Sequence, residues 1–194
     1  MKGLFIVFEG VDGGGKSTQM KMLSDFFKRK GYEVEQHMEP THETIGTVLW
    51  DYMNSKNRSF EPETEALLFA ADRIEHGKNI RKALEERKIV ISDRYKHSSL
   101  AYQGAAGADV DWMQSLNKHA LVPDLVILLD IDPEKSLGRV SDREKTVFEE
   151  NEYLKKVRAE YLRYAELGEL VVVNAVQSIE EVHADILKHV DKLA

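Results

Sequence analysis

The sequence predicts an α/β fold: a three-layer sandwich in which helices flank a five-stranded parallel sheet. Three observations predict it. Short apolar runs alternate with long helical patterns along the chain, which is how a parallel sheet with crossover helices reads. The apolar runs are continuous, as in strands buried on both faces. No repeat or low-complexity segment breaks the pattern, so the 194 residues are expected to form a single domain, 1–194.

The elements follow in order. Leu4–Phe8 is the first strand and Thr18–Lys30 the first helix, stopped at Lys30-Gly31. Glu33–Gln36 is a weaker strand candidate. Pro62–Glu86 is a long helix, Ile89–Ile91 a strand, Val110–Ala120 a helix and Leu125–Leu129 a strand. Gly138–Phe148 is charged and has poor apolar periodicity, which suits a short mobile lid. Helix Glu150–Glu166, strand Leu170–Val173 and helix Ile179–Leu193 complete the chain.

Composition narrows the function. With 42% hydrophobic and 31% charged residues, the chain has ordinary globular composition and can bury a sizeable core. A net charge of −7 argues against a nucleic-acid partner but leaves room for a local cationic pocket. The lack of cysteine excludes disulfides, thiolate metal sites and cysteine nucleophiles. The chain enters its first strand without a signal-peptide pattern, and Leu125–Leu129 is too short to span a bilayer. The expected location is the cytoplasm, with no membrane partner.

Gly10 to Ser17 reads G-x-x-x-x-G-K-S between a strand and a helix, the pattern of a P-loop. Backbone N–H groups from such a turn converge on phosphate oxygens, and the helix dipole favours negative charge there. Gly10, Val11, Asp12, Gly13, Gly14, Gly15, Lys16, Ser17 and Thr18 are therefore expected to hold a nucleoside triphosphate. Lys16 reaches the β- and γ-phosphates, and Ser17 ligates Mg²⁺. Asp93 ends the third strand beside this loop, where a carboxylate can hold Mg²⁺, and the next residue, Arg94, can grip a phosphoryl acceptor. Asn117-Lys118-His119-Ala120 begins like a GTPase base-reading motif but lacks its Asp, and no D-x-x-G follows the third strand. A short chain with a charged lid suits a small phosphotransferase, which closes over its phosphates to exclude water. Phe69 and Arg73 are four apart on the long helix and share a face, as a base-stacking ring and a carbonyl-reading guanidinium would.

Five segments carry a resemblance: F-E-G-V-D-G-G-G-K-S-T-Q, E-P-T at Glu39–Thr41, L-L-F-A-A-D-R-I-E-H at Leu67–His76, D-R-Y-K-H-S-S-L-A-Y-Q-G at Asp93–Gly104, and P-D-L-V-I-L-L-D. With V-R-A-E-Y-L at Val157–Leu162, they resemble the thymidylate kinases among the nucleoside-monophosphate kinases. The resemblance implies transfer of the ATP γ-phosphoryl group to dTMP, and a homodimer. It implies that Phe69 stacks on the thymine and Arg73 donates to a thymine carbonyl. Ser98 and Ser99 would lie beside the base edge, Tyr102 against the sugar where a ribose 2′-hydroxyl would be, and Gln103 in the same pocket. Asp12 would face the acceptor's sugar and phosphate, Glu39 would belong to the acceptor side, and Arg94 would hold the acceptor phosphate. Two positions depart from the pattern. Met38 stands where many members have Arg, and Gly13 where some have Arg. The transition-state cation is then expected from the lid: Arg143 for the β–γ bridge, and Arg139 as catalytic and adenine-flanking. Kinases of another deoxynucleoside monophosphate or of a deoxynucleoside, and a non-enzymatic nucleotide-binding regulator, are the alternatives.

Overall fold

The structure, a computed structural model, describes residues 2–137 and 151–193. The expected lid at 138–148, with Arg139 and Arg143, lies outside the described residues. The sheet has the predicted five strands: β1 (Leu4–Glu9), β2 (Val34–Met38), β3 (Ile89–Asp93), β4 (Leu125–Asp130) and β5 (Val171–Asn174). They lie side by side in the order β2-β3-β1-β4-β5, every pair parallel.

Position in the sheet explains the apolar content of each strand. Central β1 is buried along its whole length, and β3 and β4 are buried through their middles. Both faces of these strands meet helices, so alternation is absent. The edge strands β2 and β5 are only partly covered, and β2 is the one that reads weakly in the sequence. Each of β1, β3 and β4 runs past its apolar segment to a carboxylate: Glu9, Asp93 and Asp130. In the structure they line the carboxyl edge of the sheet, where open α/β folds bind ligands.

The helices are α1 (Lys16–Arg29), α2 (Thr44–Asn54), α3 (Pro62–Glu85), α4 (Lys96–Ala105), α5 (Val110–Leu116), α6 (Pro133–Leu137), α7 (Asn151–Glu166) and α8 (Ile179–Val190). α1 buries Met20, Leu23 and Phe27, and α8 buries Val182, Ile186 and Val190, each a single helical face. α8 starts with a capping box, Ser178 with Glu181, which holds its orphan N–H groups. Three helices were not expected: α2, α4 and α6. α2 and α4 lack a side-chain cap of their own, so the local start signal is missing. Two expected helices end early, each in a 3₁₀ turn: Asn117–His119 after α5 and Asp191–Leu193 after α8.

Candidate active site

The turn between β1 and α1 is shaped by close approach. A Cβ on Gly10 would stand 2.7 Å from the Leu129 carbonyl oxygen, and its φ is +132°. Gly15, the N-cap of α1, sits at φ 90°, a conformation that glycine adopts without steric penalty. The N-terminus of α1 thus opens at the carboxyl edge of the sheet, an anion cradle by geometry. Lys16 is buried, and its ammonium donates to the carbonyls of Gly10 (3.1 Å) and Val11 (3.2 Å). Asp12 Oδ1 lies 3.8 Å and Asp93 Oδ1 3.9 Å from it. Burial pulls the Lys16 pKa down, and Arg94 adds to this, while Asp93, Asp12 and Glu9 oppose.

The register places Asp93 beside Phe8, so β3 delivers its last residue next to the cradle. Asp93 Oδ1 is buried and accepts no hydrogen bond. Ser17, in the first turn of α1, is exposed. An orphaned carboxylate oxygen and a nearby hydroxyl fit Mg²⁺, which takes one or two protein ligands and fills its other positions with phosphates and water. Among the described residues no cluster of three or more His, Asp or Glu offers an all-protein metal cage.

Arg94 joins the two halves of the site. Its φ is 67°, an uncommon conformation for a residue with a side chain. Its N–H donates to the Phe8 carbonyl at 2.8 Å. Nη2 donates to Asp12 Oδ1 at 2.9 Å and to the Tyr102 hydroxyl at 3.1 Å, and the guanidinium lies 4.9 Å from the Tyr102 ring centroid. Nη1 donates to Ser98 Oγ at 3.0 Å.

Arg73 is 1% exposed and heavily engaged. Its Nε donates to Glu39 Oε2 at 2.8 Å, Nη1 to Asn117 Oδ1 at 2.6 Å, and Nη2 to Ser99 Oγ at 2.9 Å and the Tyr95 carbonyl at 3.3 Å. Glu39 also pairs with His76 Nδ1 at 2.9 Å, and His76 with His37 at 2.7 Å. Asp72 holds the segment after Glu39 through the N–H and hydroxyl of Thr41. Phe69, one turn before Arg73, is half-buried and stands outside the core cluster of the described residues. Gln103 is buried and donates to Glu65 Oε2 at 3.0 Å.

Of the expected site residues, Asp12, Lys16, Asp93, Arg94, Ser98 and Tyr102 are brought together directly. Glu39, Arg73 and Ser99 form a second cluster, which meets the first through Tyr95 and the turn of α4. Ser98 faces Glu9 rather than standing free, and Gln103 is tied to Glu65. Glu9, Tyr161, His76 and Asn117 were missed. Asn117 was read only as a fragment of a GTPase motif; in the structure its amide is fixed by the Met113 carbonyl and its oxygen takes Arg73.

Burial raises the Glu9 carboxyl from 4.5 to about 7, with the Ser98 hydroxyl, Arg94, the Tyr161 hydroxyl and the Tyr95 N–H drawing it back. Between those values the folded chain holds a proton that the unfolded chain has lost. Glu9's contribution to stability is thus full below pH about 4.5 and disappears as pH rises through about 7. The difference is on the order of 3 kcal/mol. Glu9→Gln cannot ionise, so its melting temperature should gain on the native chain from pH 5 to pH 8. Parallel melting curves across that range would show a constant difference if Glu9 carried no such proton.

A glycine loop at the N-terminus of α1, a buried lysine within it, and a strand-end carboxylate and an arginine beside it are the geometry of a P-loop protein. The thymidylate kinase family model matches residues 8–186. A probable thymidylate kinase of Thermococcus gammatolerans is 47% identical over 201 residues, covering 98% of this chain and 97% of that protein. One from Methanocaldococcus jannaschii is 41% identical over 191 residues, covering 98% and 97%. The solved structure of thymidylate kinase from Candida albicans superposes with a TM-score of 0.87 at 24% identity, over 98% of this chain and 92% of that one. The chain belongs to the thymidylate kinase family.

Proposed function

We propose that the chain transfers the γ-phosphoryl group of ATP to the 5′-phosphate of dTMP, giving ADP and dTDP and so supplying dTTP synthesis. The single observation that carries this is the 2.9 Å contact between Asp12 of the phosphate cradle and Arg94 of the acceptor side. It supports the reading of Arg94 as a second phosphate-binding group set directly against the first. An acceptor phosphate oxygen attacks the γ-phosphorus, and the bond to the β–γ bridging oxygen breaks. The acceptor is already anionic, so no strong general base is needed. Catalysis consists of aligning two anions and neutralising the charge that develops.

In this reading Gly10–Thr18 holds the ATP phosphates and Arg94 holds the acceptor phosphate, with Asp12 between them. Phe69 stacks on thymine and Arg73 anchors the base side, with Glu39, Ser98, Ser99, Tyr102 and Gln103 around it. Ser17 and Asp93 would hold Mg²⁺, which offsets phosphate charge when bound. The transition-state cation comes from the 138–148 segment, with Arg143 at the β–γ bridge and Arg139 also flanking the adenine. Separate Arg139→Ala and Arg143→Ala variants test this; if both keep native turnover at saturating substrates, the cation lies elsewhere.

The test of the function itself is a panel of nucleosides and nucleoside monophosphates with Mg-ATP, scored for ADP. dTMP should give the highest kcat/KM. A deoxynucleoside or another monophosphate in first place would overturn the assignment, as would ATP loss indifferent to acceptor. Phe69→Ala should raise the dTMP KM more than the ATP KM, by about 1–3 kcal/mol of lost stacking. An unchanged dTMP KM in folded protein would remove Phe69 from the base site.

No described helix is long and apolar enough to cross a membrane, and the working location is the cytoplasm. The functional unit is a homodimer. The packed pair α2 and α3 leaves Val48, Leu67 and Ile74 exposed at 49%, 49% and 44%. Leu67 and Ile74 are seven apart, hence on one face of α3. Light scattering should give a dimer at micromolar concentration and a monomer for Leu67→Glu/Ile74→Glu. A native monomer would exclude the dimer.

A further inference from the structure

Glu9 sits at the end of β1, one residue before the cradle, with no exposed surface. No role in holding nucleotide falls to it, yet four donors converge on its carboxylate. Oε1 accepts the backbone N–H groups of Tyr95 (3.0 Å) and Ser98 (3.2 Å). Oε2 accepts the hydroxyls of Ser98 (2.5 Å) and Tyr161 (3.0 Å).

The first pair caps α4. Tyr95 stands at the N-cap of that helix and offers no side-chain cap. The carboxylate comes instead from β1, a favourable charge at a helix N-terminus. It grips the residues just after Arg94, where the chain takes its left-handed turn.

The second pair has a polarity. An ionised carboxylate only accepts hydrogen bonds. The Ser98 and Tyr161 hydroxyls also stand 2.8 Å apart, so each directs its hydrogen either to Oε2 or to the other hydroxyl, and lone pairs of both are left for Arg94. Its Nη1 donates to Ser98 Oγ at 3.0 Å and to the Tyr161 hydroxyl oxygen at 3.4 Å. The other nitrogen, Nη2, is held by Asp12 and Tyr102. The guanidinium is thus fixed from both ends.

We propose that Glu9 is a positioning residue for the acceptor phosphate: its carboxylate orients the Ser98 and Tyr161 hydroxyls so that they hold Arg94 against Asp12, in the pose that receives the monophosphate. This rests on the reading of Arg94 as the acceptor-phosphate group. Glutamine at position 9 keeps the size and one acceptor oxygen but adds an NH₂ donor. One hydroxyl must then turn its hydrogen toward Arg94, and the guanidinium loses that partner.

The experiment measures initial rates of the full-length enzyme at pH 8, with Mg-ATP and dTMP varied separately, for the native chain, Glu9→Gln, Tyr161→Phe and Arg94→Ala. Glu9→Gln should raise the dTMP KM about tenfold and lower kcat, the scale of one hydrogen bond to a charged group. The ATP KM should stay within about twofold, since a positioning role on the acceptor side leaves donor binding intact. Tyr161→Phe should move the same constants in the same direction by a smaller factor. If Arg94→Ala raises the dTMP KM but folded Glu9→Gln does not, the proposal is overturned while Arg94 keeps its role. A rise of both KM values together would also overturn it, making Glu9 a support for the whole site. If Arg94→Ala leaves the dTMP KM unchanged, the reading of Arg94 itself fails. Should Glu9→Gln not fold, Ser98→Ala/Tyr161→Phe removes the two relays, leaves Glu9 in place, and carries the same expectation.

Discussion

Arg73→Ala is expected to destabilise the protein by about 3–5 kcal/mol, because it leaves the Glu39 carboxylate buried without its guanidinium partner. Glu39 is 5% exposed and Arg73 1%. After the substitution Glu39 retains only the His76 imidazole of these two side-chain partners. Asn117 Oδ1 and Ser99 Oγ lose their donor in the same step. Arg73→Lys should recover only part of the loss, since one ammonium cannot span partners arranged around a planar fork. Denaturant titration of the three proteins decides it. A loss below about 1 kcal/mol for Arg73→Ala would mean that the cluster is not a stability element. A base-reading role adds a second signature: the dTMP KM of Arg73→Lys rises beyond what its stability loss explains.

Lys16→Ala should keep the fold and lower kcat by about 10²-fold or more, by analogy with the loss of one preorganised donor. The ammonium is enclosed by the cradle and flanked by Asp12 and Asp93. A phosphate at the cradle would compete with the Gly10 and Val11 carbonyls for its donors. Single-turnover measurement at saturating ATP and dTMP isolates the chemical step. A decrease smaller than about threefold would place the charge stabilisation elsewhere.

The frame of this protein is written locally, and so it reads from sequence. Leu4–Phe8, Ile89–Ile91 and Leu125–Leu129 are apolar because both of their faces are covered, and the cradle is marked by its glycines. What did not read is non-local. α4 starts without a cap among its own neighbours, because the cap belongs to Glu9, 89 residues earlier. Glu9 itself read only as a member of the segment F-E-G-V-D-G-G-G-K-S-T-Q. Asn117 could not be assigned, because its partner Arg73 lies 44 residues away on another helix. The same holds within the acceptor site. Ser98 and Ser99 are adjacent in sequence but turn to different partners, Glu9 and Arg73. No spacing rule separates them; the twist of a helix does.

The distant cap on α4 also bears on the order in which the chain folds. β1 and the α1 turn are contiguous in sequence, although the turn packs against the Leu129 carbonyl of β4. α4 gains its N-terminal anion only once β1 has paired with β3 and carried Glu9 to it, and closing a loop of that size is entropically costly and slow. The N-terminus of α4 is therefore completed only when β1 and β3 lie side by side. A nascent chain ending before residue 89 lacks β3 altogether, so it holds the cradle sequence without the strand that brings Asp93 and Arg94 to it.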